Sequence, residues 1–249
     1  MKRLLLLLLF IFPAVPYLYA QTFEAGFYAG ATVSDIPGTD NIDNDVDFEK
    51  LGFTVAGTVS TKISPKTRLQ MEIRFFQRGA QQSPTIVNDS ASSAVVNPSG
   101  QYYTPYFTLR LNYVDVVVGI KHAIHFNIRN KATDRYGIEA GVSLGTLVGY
   151  YYEVNSINYN LDLNLIDISP YIGLYYNVTP HFYIEGRYSN SINSVLKHDG
   201  TDGSDFYYLY YNSWNNGHNV AFDFVLGFNL FGGSGQSGDN PGGGTQSDN

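Results

Sequence analysis

His198, Asp199 and Asp202 fall together in the stretch "HDGTDGSD", a base and several acids within reach of one another. Such groups could exchange protons with a substrate, but hydrolysis also needs a nucleophile converging at the same place. No His-Glu-x-x-His pair and no phosphate-binding loop accompanies them. A neighbouring His and Asp in a polar segment reads as loop composition, so no catalytic residue and no cofactor is expected. The second candidate is "DNIDNDVDFE", where Asp43, Asp45 and Asp47 place hard oxygens at alternate positions between Asp40 and Glu49. Calcium takes such ligands, but Phe48 stands where the sharp turn of a calcium loop needs Gly. A solvated acidic loop is the expectation, with the aspartates as weak calcium candidates.

The remaining chemistry-bearing residues are charges set singly between apolar ones. In "RLQMEIRF", Leu69, Met71, Ile73 and Phe75 alternate with Arg68, Gln70, Glu72 and Arg74. A strand with this period puts the two sets on opposite faces. One face must meet something oily, the other something polar. Similar alternation runs through Thr22–Ser34, Lys50–Thr61, Arg68–Ala80, Phe107–Lys121, Tyr136–Tyr152, Ile166–Val178, Phe182–Asn190 and Asn219–Phe231. The phase of the fourth slips near Asn112, which predicts a bulge there or a rim segment above a membrane. Eight strands, each near or above the ~9–11 residues needed to cross a bilayer at a tilt, predict an all-β protein. The expected fold is an eight-stranded antiparallel up-and-down transmembrane β-barrel.

Which face is inside follows from composition. The 15% charged fraction is well under the ~25% of soluble domains, and the 21 tyrosines dominate the aromatics. The polar face carries Gly, Ser and Thr with isolated charges rather than a carpet of Lys and Glu. Small residues suit a crowded interior and large apolar ones a lipid face. Glu72, Arg74, Asp115, Glu139, Glu185, Arg187 and Asp223 are then expected to point inward and pair. Such a network fills and stiffens a narrow barrel, whereas an unpaired charge there is costly.

Lys2 and Arg3 precede the apolar run Leu4–Phe12, and Ala20 precedes Gln21, which predicts a signal peptide over residues 1–20. Its removal takes two bases and no acid, so the formal charge of −7 becomes −9. That argues against nucleic acid as a partner. There is no Cys, so disulfides and a lipidated cysteine are both excluded. The barrel is expected over residues 21–231. Links after strands one, three and seven are long (Asp35–Glu49, Gln81–Tyr106, Ser191–His218). Those after strands two, four and six are shorter: Lys62–Thr67, His122–Arg135 and Asn177–His181. Extracellular loops on one rim and periplasmic turns on the other would produce this alternation. The last long link holds "DFYYLYYNSW", in which Tyr207, Tyr208, Tyr210, Tyr211 and Trp214 form an aromatic patch suited to a membrane interface or a partner. Residues 232–249 are rich in Gly, Ser, Asp and Asn and read as a flexible periplasmic tail.

"RLQMEIRFFQRGA" (Arg68–Ala80), "NYVDVVVGIKH" (Asn112–His122) and "FYIEGRYSNSI" (Phe182–Ile192) resemble the PorT-like outer-membrane β-barrel family, often labelled porin family. The resemblance implies an eight-stranded barrel in the bacterial outer membrane, with membrane lipid and lipopolysaccharide around it and an envelope protein as partner. Family members include a component linked to protein secretion and gliding. Barrels of this kind end on a terminal aromatic, whereas this chain continues past Phe231. Asp89-Ser90-Ala91 resembles the short O-glycosylation acceptor of bacteria that carry the family, which makes Ser90 a glycosylation candidate. Three roles follow for testing: a scaffold with a filled interior that binds partners through loops and tail, a narrow channel for ions or small solutes, and a soluble barrel with its faces reversed.

Overall fold

The structure is a computed structural model. It describes residues 23–36, 48–83, 86–87, 95–96, 100–103, 106–128, 131–158, 160–195 and 217–230. The segment 1–20, the tail 232–249, Asp43, Asp45, Asp47, Ser90, His198, Asp199, Asp202 and the aromatic patch Tyr207, Tyr208, Tyr210, Tyr211 and Trp214 lie outside them.

Eight strands form the wall: β1 (Phe23–Asp35), β2 (Lys50–Ser64), β3 (Thr67–Gln82), β4 (Phe107–Ile128), β5 (Lys131–Val154), β6 (Ile166–Asn177), β7 (Phe182–Asn190) and β8 (Val220–Asn229). Each pairs antiparallel with its neighbours in the chain, and β8 pairs with β1 to close the sheet into a barrel. No helix occurs among the described residues. Within the third link, Ile86–Val87, Val95–Val96 and Tyr102–Tyr103 make a separate small sheet. Ile157–Asn158 adds a short strand to the top of β5.

The wall is inside out relative to a soluble barrel. Ile73 is 68% exposed and Leu226 67%, while Arg74 and Asp223 on the other face are each 1% exposed. Aromatic pairs mark two levels on the outer surface. Near the short-turn rim lie Phe27–Phe228, Phe182–Phe228 and Tyr136–Tyr176, with ring centroids 5.5, 4.9 and 4.8 Å apart. Near the other rim lie Phe53–Phe75 at 5.3 Å and Tyr188–Phe222 at 4.9 Å. Between them the outer surface is apolar, as a lipid-facing band flanked by aromatic girdles requires.

One expectation needs correction and another is met on the partner strand. The link after β4 is not a fourteen-residue turn: β4 runs on to Ile128 and β5 begins at Lys131, with Phe126 opposite Thr133 and Ile128 opposite Lys131. Polar residues do not end a strand whose neighbour completes its ladder, so this hairpin extends past the wall. The irregularity expected near Asn112 is present, although β4 itself keeps its phase. Its odd-numbered residues point inward all the way from Phe107 to Lys121. The irregularity is a bulge on the partner strand: Asn112 faces Gly149 and Tyr113 faces Leu147, which leaves Val148 opposite no residue. What changes at Asn112 is the filling. Below it the inward residues include Asp115 and Lys121; above it they are Leu111, Leu109 and Phe107, while Arg110 turns outward. The band thus ends at Asn112, and the segment beyond it is apolar inside and polar outside, like a soluble protein.

Gly79 sits at this upper level with φ +145°, and a Cβ there would lie 1.9 Å from the Leu109 carbonyl oxygen. Ser34 of β1 reaches across to it, donating to the Gly79 carbonyl and accepting from its N–H, both at 3.0 Å. Gly57 on the lipid face has nothing within 4 Å of a built Cβ. Gly79→Ala is therefore expected to lower stability by at least about 2 kcal/mol, and Gly57→Ala by almost nothing. Urea unfolding in detergent micelles, followed by heat-modified gel mobility, checks both.

Candidate functional site: the ion-paired interior

Strand alternation delivers one to three charged side chains from each of β3 to β8 to the interior, at two heights. The lower group is a ring of alternating charge. Lys121 of β4 lies 2.5 Å from Glu185 of β7 and 3.5 Å from Glu139 of β5. Arg187 of β7 contacts the same two glutamates, with its Nε 2.6 Å from Glu139. Arg187 then extends to Glu72 of β3, donating at 2.6 and 2.8 Å. Glu72 also accepts from the Tyr28 hydroxyl at 2.7 Å and from Gln70 at 2.6 Å.

The upper group is built on two arginines of β3. Arg74 donates to Asp115 at 2.6 Å and reaches Asp223 of β8 at 3.4 Å. Arg78 donates to Asp167 at 2.8 Å and to Ser169 at 2.9 Å. Phe76 lies between the two guanidinium groups, 4.1 and 4.0 Å from its ring centre. A cation over an aromatic face is attracted by the ring quadrupole, so Phe76 spaces two like charges without leaving either bare. Thr32 donates to Asp223 at 2.9 Å, and Ser169 to Asp167 at 2.6 Å. Six carboxylates thus face four bases, and neutral hydroxyls and an amide supply the remaining donors.

The glycines of the interior have a specific use. A Cβ on Gly119 would lie 2.1 Å from the Tyr171 hydroxyl, on Gly137 2.2 Å from the Tyr175 ring, and on Gly227 1.9 Å from the Tyr183 ring. Each glycine is the seat of a tyrosine, from the adjacent strand for Gly137 and Gly227 and from the next strand but one for Gly119. Those rings in turn flank the cations: Lys121 lies 4.6 Å from the Tyr183 centroid and Arg187 4.9 Å from that of Tyr171.

Above the charges the interior is closed by an apolar plug. Ile36, Phe107, Leu109, Leu111, Leu147 and Leu163 belong to one buried cluster that spans the mouth. Link segments are stitched over it: Asn164 N–H donates to the Val195 carbonyl at 2.8 Å, and Val195 N–H to that of Gly217 at 2.9 Å.

All seven inward charges read from the sequence, Glu72, Arg74, Asp115, Glu139, Glu185, Arg187 and Asp223, are buried and have ion-pair partners. Four contributors escape that reading: Arg78, Lys121, Asp167 and Tyr28. Continuing each alternation to the strand end finds three of them, since Arg78 keeps the parity of Arg74, Lys121 that of Asp115, and Asp167 stands between Ile166 and Ile168. Gly141-Val142-Ser143-Leu144-Gly145 matches a hydrolase nucleophile elbow in letters alone. It lies mid-strand in β5, paired on both sides, and Ser143 donates to the Ser169 carbonyl at 3.3 Å. His122 meets the Thr67 hydroxyl at 3.0 Å and His181 the Asn229 carbonyl at 3.0 Å, at separate places on the short-turn rim.

A closed antiparallel barrel with an apolar exterior, two aromatic levels and a charged interior is the architecture of an integral membrane β-barrel. A family model described as outer membrane protein beta-barrel domain matches residues 19–197, and the chain belongs to that family. Among solved structures, it is similar to Ail, the attachment invasion locus protein of Yersinia pestis. That match has 12% identity, covers 83% of this chain and 98% of Ail, and has a TM-score of 0.43. Neisserial surface protein A matches at 11% identity over 83% of this chain and 96% of its own, with a TM-score of 0.36. CarO of Acinetobacter baumannii matches at 8% identity over 81% and 96%, with a TM-score of 0.35. No curated protein matches the chain.

Removing Arg187 leaves Glu72 and Glu139 without their shared cation, and removing Arg74 does the same to Asp115 and Asp223. Arg187→Ala and Arg74→Ala should each cost about 3 kcal/mol, with Arg187→Lys intermediate because it keeps the charge and loses the fork. Unfolding midpoints that do not move in either alanine variant would show that the network does not hold the barrel together.

Proposed function

We propose that this protein is an outer-membrane scaffold with a filled interior, which engages partners through its outer loops and its tail rather than by conducting solute. The observation that carries the reading is the stacking of two fillings: an ion-paired column below and an apolar plug above it. An eight-stranded barrel has room inside for side chains and little else. A channel would need a continuous wet path, and the plug of Leu109, Leu111 and Leu147 interrupts it.

The loops are the surface left for recognition. The segment bearing Tyr207, Tyr208, Tyr210, Tyr211 and Trp214 enters and leaves through the Val195–Gly217 hydrogen bond. A pinched base lowers the cost of ordering a loop on a partner. We assign these aromatics to contact with an envelope protein or with lipopolysaccharide, and Ser90 to glycosylation. The resemblance to PorT-like proteins supports a place in protein secretion or gliding. On this reading residues 1–20 are the export signal, and Asp43, Asp45 and Asp47 serve as solvated loop charges.

Planar-bilayer recording on protein refolded from residues 21–249 tests the choice. Insertion without current steps is expected. Steady, reproducible conductance would overturn the filled-scaffold reading and make the interior charges the lining of a narrow channel.

A further inference from the structure

β2 keeps its ladder with β1 up to the pair Lys50–Ser34, but its ladder with β3 stops at Thr54–Phe76. Above that level β3 follows β4 instead, staying paired with it as far as Gln82–Phe107. Ser34 of β1 bonds the Gly79 backbone although β2 lies between the two strands in the sheet, and Ala80 joins Ile36 in the plug. The upper end of β3 therefore leans in over the mouth and leaves a seam beside the first residues of β2. Lys50 stands on this seam.

Lys50 is 9% exposed and Lys121 8%, yet the two lysines are served differently. Lys121 has two glutamates, whereas the Lys50 ammonium donates to the carbonyl of Leu51, at 3.2 Å. The charge that acts on it is another cation, Arg110 of β4. Arg110 is exposed just above the end of the lipid-facing band, with its guanidinium 5.3 Å from the ring centre of Tyr151 opposite. Stacking of this kind holds the planar group and leaves its N–H edge free to donate. Glu153, two residues along β5, is engaged by the Tyr151 hydroxyl, and Glu49 is exposed. Among the described residues neither Lys50 nor Arg110 has a carboxylate within ion-pair distance. A buried ammonium beside a guanidinium is costly unless something negative completes the group. One forked cation and one point charge together suit a tetrahedral oxyanion.

We propose that Lys50 and Arg110 form a binding site for a phosphate group at the plugged rim. At this height the phosphate belongs either to a glycolipid of the surrounding leaflet or to a soluble compound. The inference rests on the outer-membrane reading for the lipid-borne source and adds to it a ligand chemistry and a location.

The test uses protein exported by cells and extracted from outer membranes into a phosphate-free detergent buffer. Equilibrium dialysis against radiolabelled inorganic phosphate measures the site, and native mass spectrometry reads any phosphorylated lipid that stays bound. The wild type should take up phosphate in a salt-sensitive way or already hold such a lipid. Lys50→Gln and Arg110→Gln should each weaken the binding roughly tenfold or more. Arg110→Lys should fall between, because it keeps the charge and loses the fork. Lys66→Gln, at the opposite rim, should bind like the wild type. A phosphorylated lipid retained by the wild type and lost from the K50Q/R110Q variant supports the site and makes the membrane its source. Phosphate uptake without retained lipid supports it with a soluble source. Wild-type protein that neither takes up phosphate nor retains such a lipid overturns the proposal, as does a K50Q/R110Q variant that binds as well as wild type. Heat-modified mobility reports whether each variant is folded. Bilayer conductance alone decides the filled interior, so the two readings fail separately.

Discussion

Hydrocarbon offers no hydrogen bonds, so every peptide group crossing it must find its partner within the protein. For strands this demands a sheet without edges, and the pairing of β8 with β1 supplies it. The rest follows from that closure. A closed wall of eight strands leaves a narrow lumen, which must be packed to density like any core. Because the outer face has taken the apolar residues, the lumen is packed with the polar ones. Buried polar groups must then satisfy each other.

The interior answers this with three kinds of part. Arginines with several donors each serve two or three carboxylates, and Arg187 alone touches Glu72, Glu139 and Glu185. Tyrosines fill volume and lend hydroxyls, as Tyr28 does to Glu72. Glycines make room for those rings. Each part is poor alone: a bare arginine is costly to bury, a tyrosine does not fit without its glycine, and a glycine leaves a void without its tyrosine. The small-residue bias of the polar face is therefore one half of a packing code whose other half is the tyrosine count.

Much of this was legible from the sequence because period-2 alternation is a direct image of a two-faced wall. Ile73 and Arg74 could be assigned to opposite faces without any structure, since a strand allows nothing else. Other features were not legible, for physical reasons. Phe75-Phe76 breaks the alternation in type but not in direction: Phe76 points inward because two arginines need a spacer, and only the fold reveals that they are neighbours. At Asn112 the chain leaves the hydrocarbon, and the rule for what belongs inside is inverted while the strand continues. A reading that holds one rule for a whole strand sees that inversion as a slip of phase. The plug was hidden for a related reason: Ile36, Leu163 and Val195 come from link segments, where alternation carries no information.

The interior pairs have a consequence for how the protein is made. Thr32 and Asp223 are 191 residues apart in the chain, Arg74 and Asp223 149, and Glu72 and Arg187 115. None of these contacts can form within a single hairpin. A half-assembled sheet would carry bare carboxylates and guanidinium groups with no counter-charge, and moving them into oil at that stage is prohibitively costly. Closure and charge neutralisation therefore have to arrive together. The order of events is imposed by the most distant partners, and partial barrels have no stable place in the bilayer. High contact order makes such a step slow. The chain must consequently be kept from aggregating until its last strand meets its first.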